Sequence, residues 1–166
     1  VQKEPIAQAE PEFIWIDYPR ADVVNRAETW QKEIEQQTHL YLNELHVNDI
    51  LNLEHPCVFD SMDDYELLIF RKLITPDDDI ESGEQALEQH EKVFGLATTP
   101  ISFIMTPQVL ITVREQGNKA IKNYISRIET HVIRSTQEQN KSRKLPMTPL
   151  DLSLRLLNSM VDGYLV

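Results

Sequence analysis

The segment Glu44–Phe70, ELHVNDILNLEHPCVFDSMDDYELLIF, contains a helical pattern, a proline and an apolar run in that order. We predict a helical piece from Val47 to Leu53, because Pro56 prevents its continuation. Tyr65–Leu73, YELLIFRKL, is rich in apolar and aromatic side chains and predicts a strand. The segment therefore predicts a helix, a turn and a strand in succession, as in an α/β domain.

Three further apolar runs predict the other strands of a sheet. Phe13–Tyr18, FIWIDY, is apolar, β-branched and aromatic, and predicts a buried strand that Pro19 ends. Ile101–Met105 and Val109–Val113 are separated by a short polar stretch that contains a proline, which predicts a hairpin.

Segments whose apolar residues have the spacing of a helix lie between and after these strands in the sequence. Asp22 is predicted to cap a helix whose apolar residues lie three or four positions apart, namely Val23, Ala27, Trp30 and Ile34. The pattern of Asn118–Gln137 is also helical. Between the strands, the acidic run Asp77–Asp79 lies in a stretch rich in proline, glycine and carboxylates, which predicts an exposed loop.

The last segment predicts a helix with Thr148 at its cap and Pro149 at its first position. One apolar stripe consists of Leu150, Leu154, Leu157, Val161 and Leu165, and it is widened by Leu156 and Met160. A polar stripe consists of Asp151, Arg155, Asn158 and Asp162. No capping glycine, basic turn or proline closes this helix before Val166, so we expect the natural polypeptide to continue.

Composition narrows the class of protein. The chain has 166 residues, which is enough for one domain with a hydrophobic core. Its formal charge of −11 disfavours nucleic acid and anionic membranes as partners. A single cysteine cannot form an internal disulfide, and no apolar run approaches the roughly 20 residues that cross a bilayer. These features predict a soluble domain of a reducing compartment, with residues 1–11 as a flexible lead-in and 12–166 as the domain.

Catalysis is one possible role for the opening segment. Cys57 is a candidate nucleophile with His46 or His55 as its base. A lone cysteine beside a proline and apolar residues is, however, more typically a small hydrophobic side chain. The sequence also has no nucleophile-elbow serine motif, phosphate-binding glycine loop or zinc-protease histidine pair.

Metal binding is the other possible role. His55 and Cys57 have no second Cys/His pair to complete a tetrahedral zinc set. The cluster Asp60, Asp63 and Asp64 lacks the spacing and central glycine of a calcium loop and predicts a polar turn instead. Asp49 differs from these acids because it lies within the predicted helix, although a single helical carboxylate is usually only solvated.

Taken together, three segments resemble the cytoplasmic domain of CorA-type magnesium and cobalt transporters. HVNDILNLEHPCVFDSMDDYELLIFRKL is similar to that family's helix-then-strand segment, and ISFIMTPQVLITVRE is similar to its hairpin. PLDLSLRLLNSMVDGYLV is similar to the start of the helix that leads to the family's stalk. The opening FIWID also fits the family's first strand, so that the resemblance spans nearly the whole chain.

The resemblance implies a three-layer α/β (α+β) fold, in which a mixed central β-sheet lies between helical layers. It implies a divalent-cation-sensing domain on the cytoplasmic face of the inner membrane, and not an enzyme. The two transmembrane helices with their Gly-Met-Asn signature, which carry out transport in the family, are absent from this sequence. Family members are homopentamers in which divalent ions between neighbouring cytoplasmic domains hold the closed state.

The resemblance also implies particular metal-binding residues. Asp49 occupies the aspartate of the family's Asp-Ile-Leu motif, which in some members faces an acid on the neighbouring stalk. Asn48 and Asn158 stand where some members have acids, and Asp162 is the nearest carboxylate on that polar stripe. We therefore expect regulatory Mg²⁺, or else Co²⁺ or Zn²⁺, at Asp49 and Asp162.

Three alternatives remain open at this point. The zinc-transporting (ZntB-like) branch of the same superfamily has a similar domain. A stand-alone cytosolic enzyme that uses Cys57 with a histidine belongs to a different class, and so does a protein-interaction module whose last helix docks onto a partner.

Overall fold

A computed structural model describes residues 13–75, 92–93, 96–137, 146 and 148–162. The helices in this part of the chain are α1 (Ala21–Val24), α2 (Ala27–Thr38), α3 (Glu44–Leu51), α4 (Lys119–Gln137) and α5 (Pro149–Asp162). The strands are β1 (Ile14–Pro19), β2 (Val58–Ser61), β3 (Glu66–Leu73), β4 (Lys92–Val93), β5 (Leu96–Met105) and β6 (Val109–Arg114).

The strands form one mixed sheet in the order β1-β6-β5-β3-β2, and the short β4 pairs with β5 beside this path. β1 is parallel to β6, whereas β6, β5, β3 and β2 pair in antiparallel fashion. The strands predicted over Phe13–Tyr18 and Tyr65–Leu73 and the predicted hairpin are therefore confirmed. All six residues of β6 are buried, so the centre of the sheet is covered on both faces.

Two hydrophobic clusters show what covers each face of the sheet. The first joins α1, α2 and α3 to one face through buried residues that include Val23, Trp30, Ile34, Val47, Ile50, Ile69 and Ile111. The second joins α4 and α5 to the other face through residues that include Phe103, Leu110, Ile121, Leu152, Leu156 and Met160. The fold is thus three layers of the α/β class, as the family resemblance implies.

A buried polar network joins β1 to β6. Arg114 contacts both carboxylate oxygens of Asp17, and the shortest distance is 2.7 Å from Nη2 to Oδ2. The Thr112 hydroxyl donates to Asp17 Oδ1 at 2.7 Å and accepts from the Trp15 indole at 3.0 Å. The side chains of Asp17 and Arg114 are only 14% and 8% exposed, so the two charges depend on each other for compensation.

The helices after β1 differ in detail from the sequence prediction. The chain forms two helices here, and residues 25 and 26 separate them. Asp22 lies in the first turn of α1 and does not cap α2, for which Arg26 precedes the first helical residue. The Arg26 guanidinium donates to the Asp22 carbonyl oxygen, which compensates a carbonyl group at the break. The next helix, α3, spans Glu44–Leu51 where Val47–Leu53 is predicted.

The start of α5 agrees with the prediction, because the Thr148 hydroxyl accepts from the Asp151 amide at 3.0 Å. An apolar stripe on a helix is ordinarily buried against the core, but much of the stripe predicted for α5 is exposed to solvent. Leu150, Leu154 and Val161 are 57%, 51% and 41% exposed, while the buried side consists of Pro149, Leu152, Ser153, Leu156 and Met160. The sequence offers two apolar sides of similar strength, and only packing against the sheet selects one of them.

The predicted lead-in over residues 1–11 and the predicted acidic loop with Asp77–Asp79 lie outside the described residues, as does Leu165. The boundary of the domain at residue 12 remains a prediction for the same reason.

The assignment of the buried side of α5 predicts unequal effects for two leucines on the same helix. We expect Leu156→Ala to lower the free energy of unfolding by about 2–5 kcal/mol, because it removes a fully buried side chain. Leu154→Ala should change it by no more than about 0.5 kcal/mol. Urea denaturation of both variants measures this, and a larger loss for Leu154→Ala would contradict the assignment.

The network between β1 and β6 predicts a large effect for one arginine. Arg114→Met should lower the free energy of unfolding by about 3–5 kcal/mol, because it leaves the Asp17 carboxylate buried without its cation. Arg155→Met is the matched control, since it breaks a more exposed pair with Asp151 that is worth about 0.3–0.5 kcal/mol. If chemical denaturation gave similar losses of unfolding free energy for the two variants, the buried pair would not be a major contributor to stability.

Candidate functional site

Helix α3 presents Asp49 to solvent while its other side packs into the core. Asn43 precedes the helix and caps it, accepting from the Leu45 amide at 2.9 Å. Val47 and Ile50 are buried against the sheet. The Asp49 side chain is 37% exposed, so that its carboxylate is accessible to a solvated ion.

Asp49 has a histidine neighbour from the loop after α3. His55 Nε2 lies 3.3 Å from Asp49 Oδ1, and the His55 side chain is 18% exposed. The other ring nitrogen of His55, Nδ1, lies 2.9 Å from the carbonyl oxygen of Pro56. Because a carbonyl oxygen can only accept, Nδ1 carries a hydrogen in this contact.

The loop that carries His55 is held by backbone contacts. The His55 amide donates to the Asn52 carbonyl at 3.1 Å, which turns the chain back toward α3. Arg71 Nη1 on β3 donates to the carbonyl oxygens of Leu53 and His55, each at 2.9 Å. Pro56 also restricts the backbone of the residue before it. His55 therefore has a defined position beside Asp49.

Arg20 fixes the end of α3 to the end of β1. Its guanidinium donates to the carbonyl oxygen of Leu51, the last residue of the helix. Burial lowers the pKa of Arg20, and Glu115 at 3.9 Å opposes that shift.

The beginning of α3 is attached to the sheet by a hydrogen-bond relay, which we define as Asn43, Tyr65, His46 and Asp60. The Asn43 amide donates to the Tyr65 hydroxyl oxygen at 3.0 Å. The Tyr65 hydroxyl lies 2.7 Å from His46 Nδ1, and His46 Nε2 lies 2.9 Å from Asp60 Oδ2. Since a carboxylate only accepts, His46 Nε2 is the donor to Asp60, and in the neutral ring Nδ1 accepts from Tyr65. No sequence pattern predicts this relay, because its members lie at the start of α3, on β2 and just before β3.

The environment of Tyr65 keeps its hydroxyl protonated. Burial raises the pKa of Tyr65, and the nearby carboxylates of Asp60 and Asp64 raise it further against the opposing Asn43 amide. The His46 and Tyr65 rings also pack edge to face, with their centroids 5.6 Å apart. His46 is thereby a structural histidine, buried and bonded at both ring nitrogens.

Cys57 does not have the partners that the catalytic alternative requires. Its thiol is exposed, and its sulfur accepts from the Arg71 amide at 3.3 Å. His46 contacts Tyr65 and Asp60, and His55 contacts Asp49 and Pro56, so each histidine has other partners.

The remaining predicted residues are spread over the molecule. Asp63 and Asp64 form the bend between β2 and β3, as predicted for a polar turn, whereas Asp60 lies on β2. Asp162 is exposed at the last position of α5. Since α3 and α5 cover opposite faces of the sheet, a single chain does not bring Asp49 and Asp162 together.

Within the ranges that the structure describes, no group of three or more His, Cys, Asp or Glu side chains is arranged to hold a metal ion. Over the same ranges, no helix has the length and apolar character needed to span a membrane.

The fold defines the class of the protein as a three-layer α/β domain. The sequence profile of the CorA-like Mg²⁺ transporter proteins matches residues 11–165. The chain belongs to this family. Comparison with curated protein sequences gave no match.

Solved structures show the same fold at low sequence identity. The soluble domain of CorA from Methanocaldococcus jannaschii is 16% identical, with a TM-score of 0.59, and 92% of this chain aligns with 48% of it. The full-length CmaX protein is also 16% identical, with a TM-score of 0.60 and coverage of 99% and 41%. The complete CorA magnesium transporter from M. jannaschii is 15% identical, with a TM-score of 0.56 and coverage of 98% and 41%. The chain thus spans less than half the length of these solved proteins.

The relay predicts a stability effect that depends on pH. Tyr65→Phe should lower the free energy of unfolding by about 1–3 kcal/mol near pH 7, because it leaves the Asn43 amide and His46 Nδ1 without their partner. The pKa of Tyr65 is higher in the folded protein than in the unfolded chain, where it is 10.0. Its contribution is therefore complete below pH 10 and is lost as the pH rises through the folded pKa.

Denaturation of the native protein and of Tyr65→Phe between pH 7 and 11 measures both effects. We expect the difference between the two proteins to shrink above pH 10. A difference that stays constant over this range would contradict the role of the Tyr65 proton.

Proposed function

We propose that this chain is the cytoplasmic, divalent-cation-sensing domain of a CorA-like Mg²⁺/Co²⁺ transporter. The observation that carries the proposal is the family match over residues 11–165, together with the same three-layer fold. Transport itself would take place in membrane-spanning helices outside these 166 residues, and the domain would lie at the cytoplasmic face of the inner membrane. The domain would regulate transport and would not act as an enzyme.

Asp49 is the residue that we assign to the sensor. Mg²⁺ retains several of its waters and is often bound through only one or two carboxylates, which suits a half-exposed aspartate on a helix. An ion that binds the closed assembly more tightly than the open one shifts the equilibrium toward closure. The acidic surface of the chain, with a formal charge of −11, would raise the local concentration of cations.

The complete site requires a second subunit. Asp49 and Asp162 lie on opposite sides of the sheet, so neither joins the other, and a further carboxylate ligand would come from a neighbouring chain. A homopentamer in which each α3 faces its neighbour would provide such a site. Asn48 and Asn158, both exposed, offer amide oxygens in place of further carboxylates.

A related transporter of zinc is the second candidate. The imidazole of His55 beside Asp49 favours it, because nitrogen ligands suit Zn²⁺ and Co²⁺ better than Mg²⁺.

The sensor role predicts that Mg²⁺ protects the full-length protein from limited proteolysis through Asp49. Asp49→Ala should raise the Mg²⁺ concentration for half-maximal protection by about tenfold, because the ion loses its carboxylate. Asp63→Ala is the matched control, since it removes an exposed carboxylate from the bend between β2 and β3.

Protection is measured from the rate of cleavage as Mg²⁺ is titrated. An unchanged Mg²⁺ midpoint in Asp49→Ala would remove this residue from the sensor. Equal shifts in both variants would show that only the overall charge of the surface matters.

A further inference from the structure

We draw no further inference here: the strongest candidate, the exposed apolar side of α5 with Leu150, Leu154 and Val161, carries no proposal because nothing in the described residues shows what covers it.

Discussion

The ion pair between Asp17 and Arg114 is the constraint on which the sheet depends. It joins strands whose paired residues Asp17 and Thr112 are 95 positions apart in the sequence. Two buried charges are tolerated only while each has its partner. A shift of β1 by one residue would turn Asp17 to the other face of the sheet and separate it from Arg114. The buried ion pair therefore favours the same parallel register as the packing of the apolar residues around β1. Both helical layers are then built on the sheet that this register completes.

The two histidines of the opening segment show how similar residues come to have different roles. Both nitrogens of His46 are used inside the fold, where the ring links α3 to β2 and to Tyr65 just before β3. His55 uses one nitrogen on the backbone and presents the other to a half-exposed carboxylate. Burial separates a structural histidine from one that stays partly accessible to solvent. Residue type and spacing cannot do so.

Local pattern predicted the elements of this fold better than it predicted their contacts. The strands, the hairpin and the cap at Thr148 follow from runs of apolar residues and from proline, which act over a few positions. The buried side of α5 did not follow, because Leu152 and Leu154 are equally apolar and the sheet selects between them. The family resemblance predicts Asp49 as a metal ligand. Its contact with His55 could not be predicted, because it depends on a turn that Arg71 of β3 holds in place.

The parallel pairing of β1 with β6 also sets the order in which the sheet can form. β1 lies at the edge of the sheet path and has β6 as its neighbour there. At a synthesis rate of about 5–20 residues per second, roughly 5–20 s separate the emergence of these two strands from the ribosome. Through that interval the apolar FIWID segment has no partner strand, and long-range pairings of this kind slow folding. The pairing of β1 therefore waits until β6 has been made, although the intervening strands can pair among themselves before then.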